Sequence, residues 1–116
     1  MVKHIIHVDN SEFFRKLMKT FLSELGLESE GFERGEDAMN AVKAGKVNCV
    51  ITGLSLADMS GEEFIKRLTV SGQPLPVIVV SSSAGEENAM RLKALKVKAV
   101  ISKTGDWKAE LGEILH

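Results

Sequence analysis

Pro76-Val77-Ile78-Val79-Val80-Ser81-Ser82 is an unbroken apolar run closed by small hydroxyls, with its proline at the start, where a missing N–H costs least. A strand with one wet face alternates apolar and polar residues. This one is apolar on both sides, as strands are when helices cover both faces of a parallel sheet. Weaker runs of the same kind flank it: His4-Ile5-Ile6-His7-Val8, Leu27 to Phe32, Asn48 to Gly53 around Cys49-Val50-Ile51, and Val97 to Ser102. Between them apolar residues recur at helical spacing. Ser11 to Leu25 carries Phe14, Leu17, Met18, Phe21, Leu22 and Leu25 on one stripe. Gly35 to Ala44 has Glu36 and Asp37 in its first turn and Gly45 placed as its terminator. Ser60-Gly61-Glu62-Glu63 and Ser83-Ala84-Gly85-Glu86 both have capping-box spacing. The first opens a helix with Phe64, Ile65 and Leu68 inward, the second a fourth helix capped by Ser83. Trp107 to Leu115 is a short final helix. The order βαβαβαβαβα predicts an α/β fold, a doubly wound parallel sheet, in one domain over residues 1–116.

Composition narrows the function. At 116 residues, 44% hydrophobic and 27% charged, the chain buries a full core without staples, which excludes a disordered tail or a fibrous repeat. Cys49 is the one cysteine, so no intrachain disulfide forms and a reducing cytoplasm is the simpler compartment. Fifteen Lys and Arg against sixteen Asp and Glu leave a net charge of -1. With a pI near 6.3, no basic footprint for nucleic acid is expected. No apolar run approaches the roughly 18 residues of a spanning helix, and Asp9 breaks the first stretch too early for a signal peptide, so no membrane partner is expected.

In such a sheet, ligands collect beyond the carboxyl ends of the strands. There stand Asp9-Asn10, Thr52-Gly53, Ser81-Ser82-Ser83 and Ser102-Lys103. Each has an ordinary explanation alone, since Asp, Asn and Ser serve turns and caps and lysines are mostly solvated. Together they put an acid, hydroxyls and a lysine on one edge. Other chemistry is poorly written. His4 and His7 have a spacing that places them on opposite faces of a strand, and His116 is terminal, so no histidine metal site is expected. His7 reads as a half-buried, hydrogen-bonded histidine. Met18, Met39 and Met90 read as core filler, and Trp107 as packing for the last helix. Phosphate-cradling glycines, a nucleophile elbow and a paired-carboxylate motif are all missing, so the chain reads as a non-enzyme.

Four strand ends, in order and spacing, resemble a response-regulator receiver domain, the single-domain chemotaxis type included. The segments are His7-Val8-Asp9-Asn10-Ser11 followed by Arg15 and Leu17, then Met59-Ser60-Gly61, Pro76 to Ser82, and Ile101-Ser102-Lys103. The resemblance covers essentially the whole chain. It implies a five-stranded flavodoxin-like sheet of order 2-1-3-4-5 and a phosphorylation switch. In that switch an acid pair binds magnesium, an aspartate ending the third strand takes a phosphoryl group from a histidine kinase, and a hydroxyl and a lysine hold that group. Asp9 matches the first acid, Ser81 the hydroxyl with Ser82 beside it, and Lys103 the lysine.

The departures matter as much. Asn10 stands at the second acid and Gly53 at the phosphoacceptor, so no catalytic residue is assigned and Asp9 is left as a weak or vestigial magnesium ligand, with no firm cofactor. Lys103 has only Asp9 as counter-charge, which predicts that the two pair. Thr104 replaces the proline that usually follows the lysine in cis, which predicts a trans peptide. Val100 occupies the aromatic switch position and has no comparable swing. Thr52, Ser55 and Asp58 are not expected to substitute as acceptors, Asp58 reading as a turn residue. The implied function is a pseudo-receiver that binds a protein partner, a histidine kinase or an output protein, without being phosphorylated, through the face of the fourth helix, fifth strand and fifth helix. The alternatives are an anion sensor using the vacated phosphate pocket and an ordinary receiver whose acceptor has been replaced by Gly53.

Overall fold

The computed structural model describes residues 3–72, 75–82 and 85–115. Five strands, β1 (His4–Val8), β2 (Glu28–Phe32), β3 (Cys49–Thr52), β4 (Val77–Ser81) and β5 (Ala99–Ser102), form one parallel sheet in the order β2-β1-β3-β4-β5. Five helices alternate with them: α1 (Glu12–Glu24), α2 (Gly35–Ala44), α3 (Gly61–Val70), α4 (Glu86–Lys93) and α5 (Trp107–Leu115). The expected doubly wound sheet is therefore the observed one.

Strand alternation sends residues to two cores. Ile6, Val8, Val50 and Val79 meet Ala38 and Val42 of α2, Phe64, Ile65 and Leu68 of α3, and Leu92 of α4. Ile5, Ile51, Ile78, Val80 and Ile101 meet Phe14, Met18 and Leu22 of α1 and Trp107 and Leu111 of α5. A fully buried Val, Leu, Ile, Met or Phe side chain in these cores contributes on the order of 1.5–3 kcal/mol. The Trp107 ring lies 4.9 Å from that of Phe14 and 5.5 Å from that of Phe21, which docks α5 on α1. Burial pushes the Cys49 thiol up to about 11, so it stays protonated and unreactive at neutral pH.

Helix starts follow the local chemistry. Ser11 Oγ accepts from Phe14 N–H at 3.2 Å, and Ser60 Oγ accepts from Glu63 N–H at 3.0 Å. The expected capping box at α3 closes on one side only, because the Glu63 carboxylate accepts from Arg67 Nε at 3.2 Å. Ser83 lies outside the described residues, as does His116, and Gly85 occupies the N-cap of α4. Gly45 does cap α2, but its backbone is extended rather than left-handed.

Of three further expectations, two fail on packing and one, for Asp58, is incomplete. Met90 faces outward, 71% exposed, since α4 turns Leu92 to the sheet. Asp58 is more than a turn residue: α2 has no cap of its own, and Asp58 supplies it across the sheet edge, accepting from Gly35 N–H at 2.7 Å and Glu36 N–H at 3.0 Å. Slight desolvation acts upward on its carboxyl, yet these two donors and Arg34 hold it below the usual range. Asp58→Ala is expected to cost about 1 kcal/mol by urea denaturation, the value of a lost cap.

The third is His7, which is 3% exposed rather than half-buried, with its Nε2 unpartnered. Its ring lies over Gly31 of β2, where a Cβ would stand 2.5 Å from Cε1. Desolvation by burial first, then Lys19 and Arg15 of α1, outweigh Asp9 and push it down to about 4. The unfolded chain takes up this proton near 6.5, the folded one only near 4, so stability is full above pH 6.5 and is lost as the pH falls toward 4. Unfolding free energy from chemical denaturation is expected to fall by about 1.5 kcal/mol between pH 6.5 and pH 5 through this group, and His7→Val to flatten that slope.

Candidate functional site

The carboxyl ends of β1, β3, β4 and β5 bring Asp9, Gly53, Ser81 and Lys103 to one edge because the strands run parallel in register, Val8 beside Thr52 and Ser81 beside Ser102. Asp9 follows β1 directly and is nearly buried. Its backbone is held from three sides: its N–H donates to the Phe32 carbonyl at 2.9 Å, its carbonyl accepts from Arg15 Nη1 at 2.8 Å, and the Gly53 N–H reaches the preceding Val8 carbonyl at 2.8 Å. Arg15 of α1 thus works on the backbone, a role that no spacing signal announced.

Both carboxylate oxygens of Asp9 are engaged. Oδ1 accepts from Ser11 N–H at 2.9 Å, and Oδ2 accepts from Lys103 Nζ at 2.7 Å. The Asp9 and Lys103 side chains are 8% and 21% exposed. The ammonium also lies 4.0 Å from the centroid of the Phe14 ring, a cation–π contact in a partly dry setting. Lys103 is brought there by the β5 end, where its N–H donates to the Ser81 carbonyl at 3.0 Å. The expected pairing of these two charges is therefore present.

Gly53 is the other half of this arrangement. A Cβ built on it would stand 2.9 Å from Asp9 Oδ2 and 3.3 Å from its Cγ. The carboxylate of Asp9 leans into the volume that a side chain at 53 would fill. A Cβ on Gly61, at the start of α3, would collide with the Gly53 carbonyl oxygen, which accounts for the glycine in Met59-Ser60-Gly61. Thr52, fully buried, donates its hydroxyl to the same carbonyl at 2.9 Å. Beneath Asp9 and Gly53, walled by His7, Phe14, Thr52 and Val80 among others, a cavity of about 10 Å³ remains, room for at most one water.

The remaining sequence candidates are spread. Asn10 and Ser82 are exposed, Ser81 is buried, and Val100 packs half-buried against the α2–α4 core. The Lys103–Thr104 peptide is trans, and the Ser102 and Thr104 hydroxyls lie 2.7 Å apart where a proline would leave none. His4 lies against Glu30 at 3.2 Å and Glu28 at 3.9 Å on the far side of the sheet from His7. No helix among the described residues is long and apolar enough to cross a membrane.

Known proteins share this architecture. The CheY-like receiver domain protein of Methanospirillum hungatei superposes with a TM-score of 0.87 at 22% identity, over 99% of this chain and 92% of that one. The response regulator TrrA of Thermotoga maritima gives 0.86 at 24%, over 98% and 96%. At these identities the likeness shows the fold. A protein-glutamate methylesterase/protein-glutamine glutaminase of Halalkalibacterium halodurans is 37% identical over 98 residues, which are 83% of this chain and 28% of that protein. The autoinducer 1 sensor kinase/phosphatase LuxN of Vibrio campbellii is 27% identical over 82 residues, 71% of this chain and 10% of its own length. This chain thus spans under a third of either curated relative. The family model for the response regulator receiver domain matches residues 5–115. On that match, carried by all five strands and the strand ends described above, the chain belongs to the response regulator receiver domain family.

Proposed function

We propose that this receiver domain acts in two-component signalling by contact, as a pseudo-receiver that binds a protein partner without itself carrying a phosphoryl group. The observation that carries the reading is Gly53 with Asp9 leaning over it. An acyl phosphate needs a carboxylate oxygen in line with phosphorus, and glycine offers none. Asp58 does not stand in, since both its oxygens hold the start of α2. Among the described residues at this edge we find no set of groups for catalysis of another kind, and our reading is of a non-enzyme.

The surface of α4, β5 and α5 is the face we assign to the partner. Met90, with Lys93 exposed on the same helix, offers an apolar contact rimmed by charge. Trp107, by contrast, is buried against α1 and serves packing. The relatives named as a sensor kinase/phosphatase and a methylesterase support a kinase or an output protein as the class of partner.

Incubation with magnesium and acetyl phosphate, followed by intact-mass measurement, is expected to return unmodified protein. An acid-labile phosphoryl adduct overturns the reading. The anion-sensor alternative is disfavoured because the space beside Gly53 is taken by the Asp9 carboxylate, whose charge opposes an anion there. Inorganic phosphate and nucleotides at millimolar concentration are accordingly expected to leave the melting temperature unchanged.

A further inference from the structure

The fold family implies a magnesium ion at this edge, and the donor set here does not fit one. Magnesium takes near-octahedral oxygen and is held through one or two free carboxylates plus phosphate oxygens. Both Asp9 oxygens are already engaged, Oδ1 by the Ser11 N–H at 2.9 Å and Oδ2 by the Lys103 ammonium at 2.7 Å, so a divalent cation on Oδ2 would meet a positive charge already seated there. Asn10 is neutral, and residue 53 has no side chain.

We propose that Lys103 is the resident cation of this site: its ammonium holds the place on the Asp9 carboxylate that a divalent cation would need, and Gly53 is the residue that leaves room for the pair. Three observations meet here. The ammonium is fixed from two directions, by Oδ2 and by the Phe14 ring face at 4.0 Å, so it is seated rather than passing. The carboxylate that receives it stands 2.9 Å from where any Cβ at 53 would lie, so even a methyl group there must displace Oδ2. The pair also spans the sheet, tying the loop after β5 to the loop after β1, and so keeps the strand-end edge in one arrangement with or without divalent cation. Gly53 thereby has a positive role, separate from the absence of an acceptor, and the inference stands independently of what the domain binds.

Amine acetylation of the native protein, read residue by residue by mass spectrometry, tests this. The side chain of Lys16 is 77% exposed and serves as the internal standard. Lys103 is expected to react roughly five- to thirtyfold more slowly than Lys16, the protection that about 1–2 kcal/mol of local closure gives. Its rate is expected to stay the same when MgCl2 is added at millimolar concentration. Asp9→Asn and Gly53→Ala are each expected to accelerate Lys103 several-fold while Lys16 keeps its rate, which separates release of the pair from unfolding. Gly53→Ser, adding a hydroxyl on the same Cβ, is expected to act like Gly53→Ala.

A Lys103 rate equal to that of Lys16 in the native protein overturns the seated ammonium. Acceleration by MgCl2 shows that the metal displaces it and overturns the exclusion. Acceleration by Asp9→Asn but by neither substitution at 53 overturns the role of Gly53.

Discussion

Lys103→Met is expected to lower stability by about 3 kcal/mol and the melting temperature by roughly 10 °C. Removing one member of a buried ion pair leaves the other charge desolvated and unpaired, at a cost of about 3–5 kcal/mol. Lys103 retains some exposure, and Asp9 keeps one backbone donor in Ser11, which puts the effect at the lower end. Methionine has nearly the length of the lysine stem and packs on the Phe14 ring, so lost volume contributes little. The decisive comparison is the double variant. Asp9→Asn combined with Lys103→Met removes both charges, and replacing a buried pair by neutral groups is often close to neutral. The double variant is therefore expected to be more stable than Lys103→Met alone, by urea titration at neutral pH. If it is less stable, the cost lies in packing and the electrostatic account of this edge is wrong.

Gly53→Asp is expected to be labelled by acetyl phosphate where the native protein is expected to stay unlabelled. The new Cβ forces the Asp9 carboxylate off its position, since the two would stand 2.9 Å apart, and places a second carboxylate beside it. Two acids on one edge can share a magnesium ion, which Asp9 alone, paired to Lys103, is proposed not to hold. The introduced carboxylate oxygen then attacks phosphorus, the bond from phosphorus to the acetyl oxygen breaks, and acetate leaves. Labelling is expected to be slow because Asn10 contributes no charge, and to speed up when Asn10→Asp is added. Magnesium-dependent, acid-labile mass gain in both variants, larger in the second, is the expected result. Absence of label in the double variant would mean that residue 53 is not what stops the chemistry.

Much of this domain was legible in one dimension, for a physical reason. Strand and helix periodicities are local properties, so the five strands and five helices could be placed within a residue or two at most ends, and the doubly apolar Val77 to Val80 announced helices on both faces. The site residues were legible because a parallel sheet delivers its strand ends to one edge. Asp9 and Lys103, 94 residues apart, could be expected to meet because the receiver resemblance put both at that edge and left the lysine no other counter-charge there.

What stayed hidden depends on neighbours distant in sequence. Asp58 caps α2 from 23 residues away, and no capping signature spans such a gap. His7 is buried with Nε2 unpartnered because Gly31, its partner on the adjacent strand, leaves the ring the space a side chain would fill, a fact of register between two strands. Met90 matched the helical period but fell on the outer side of α4.

The chain by itself determined the topology, the edge where charges gather and the missing oxygen at 53, since these follow from residue identity and order. Only the tertiary structure decided what fills that gap. The side chain of Asp9 leans into it and carries Lys103 along, because a buried carboxylate takes the nearest cation and the one glycine at the end of β3 left the space to do so.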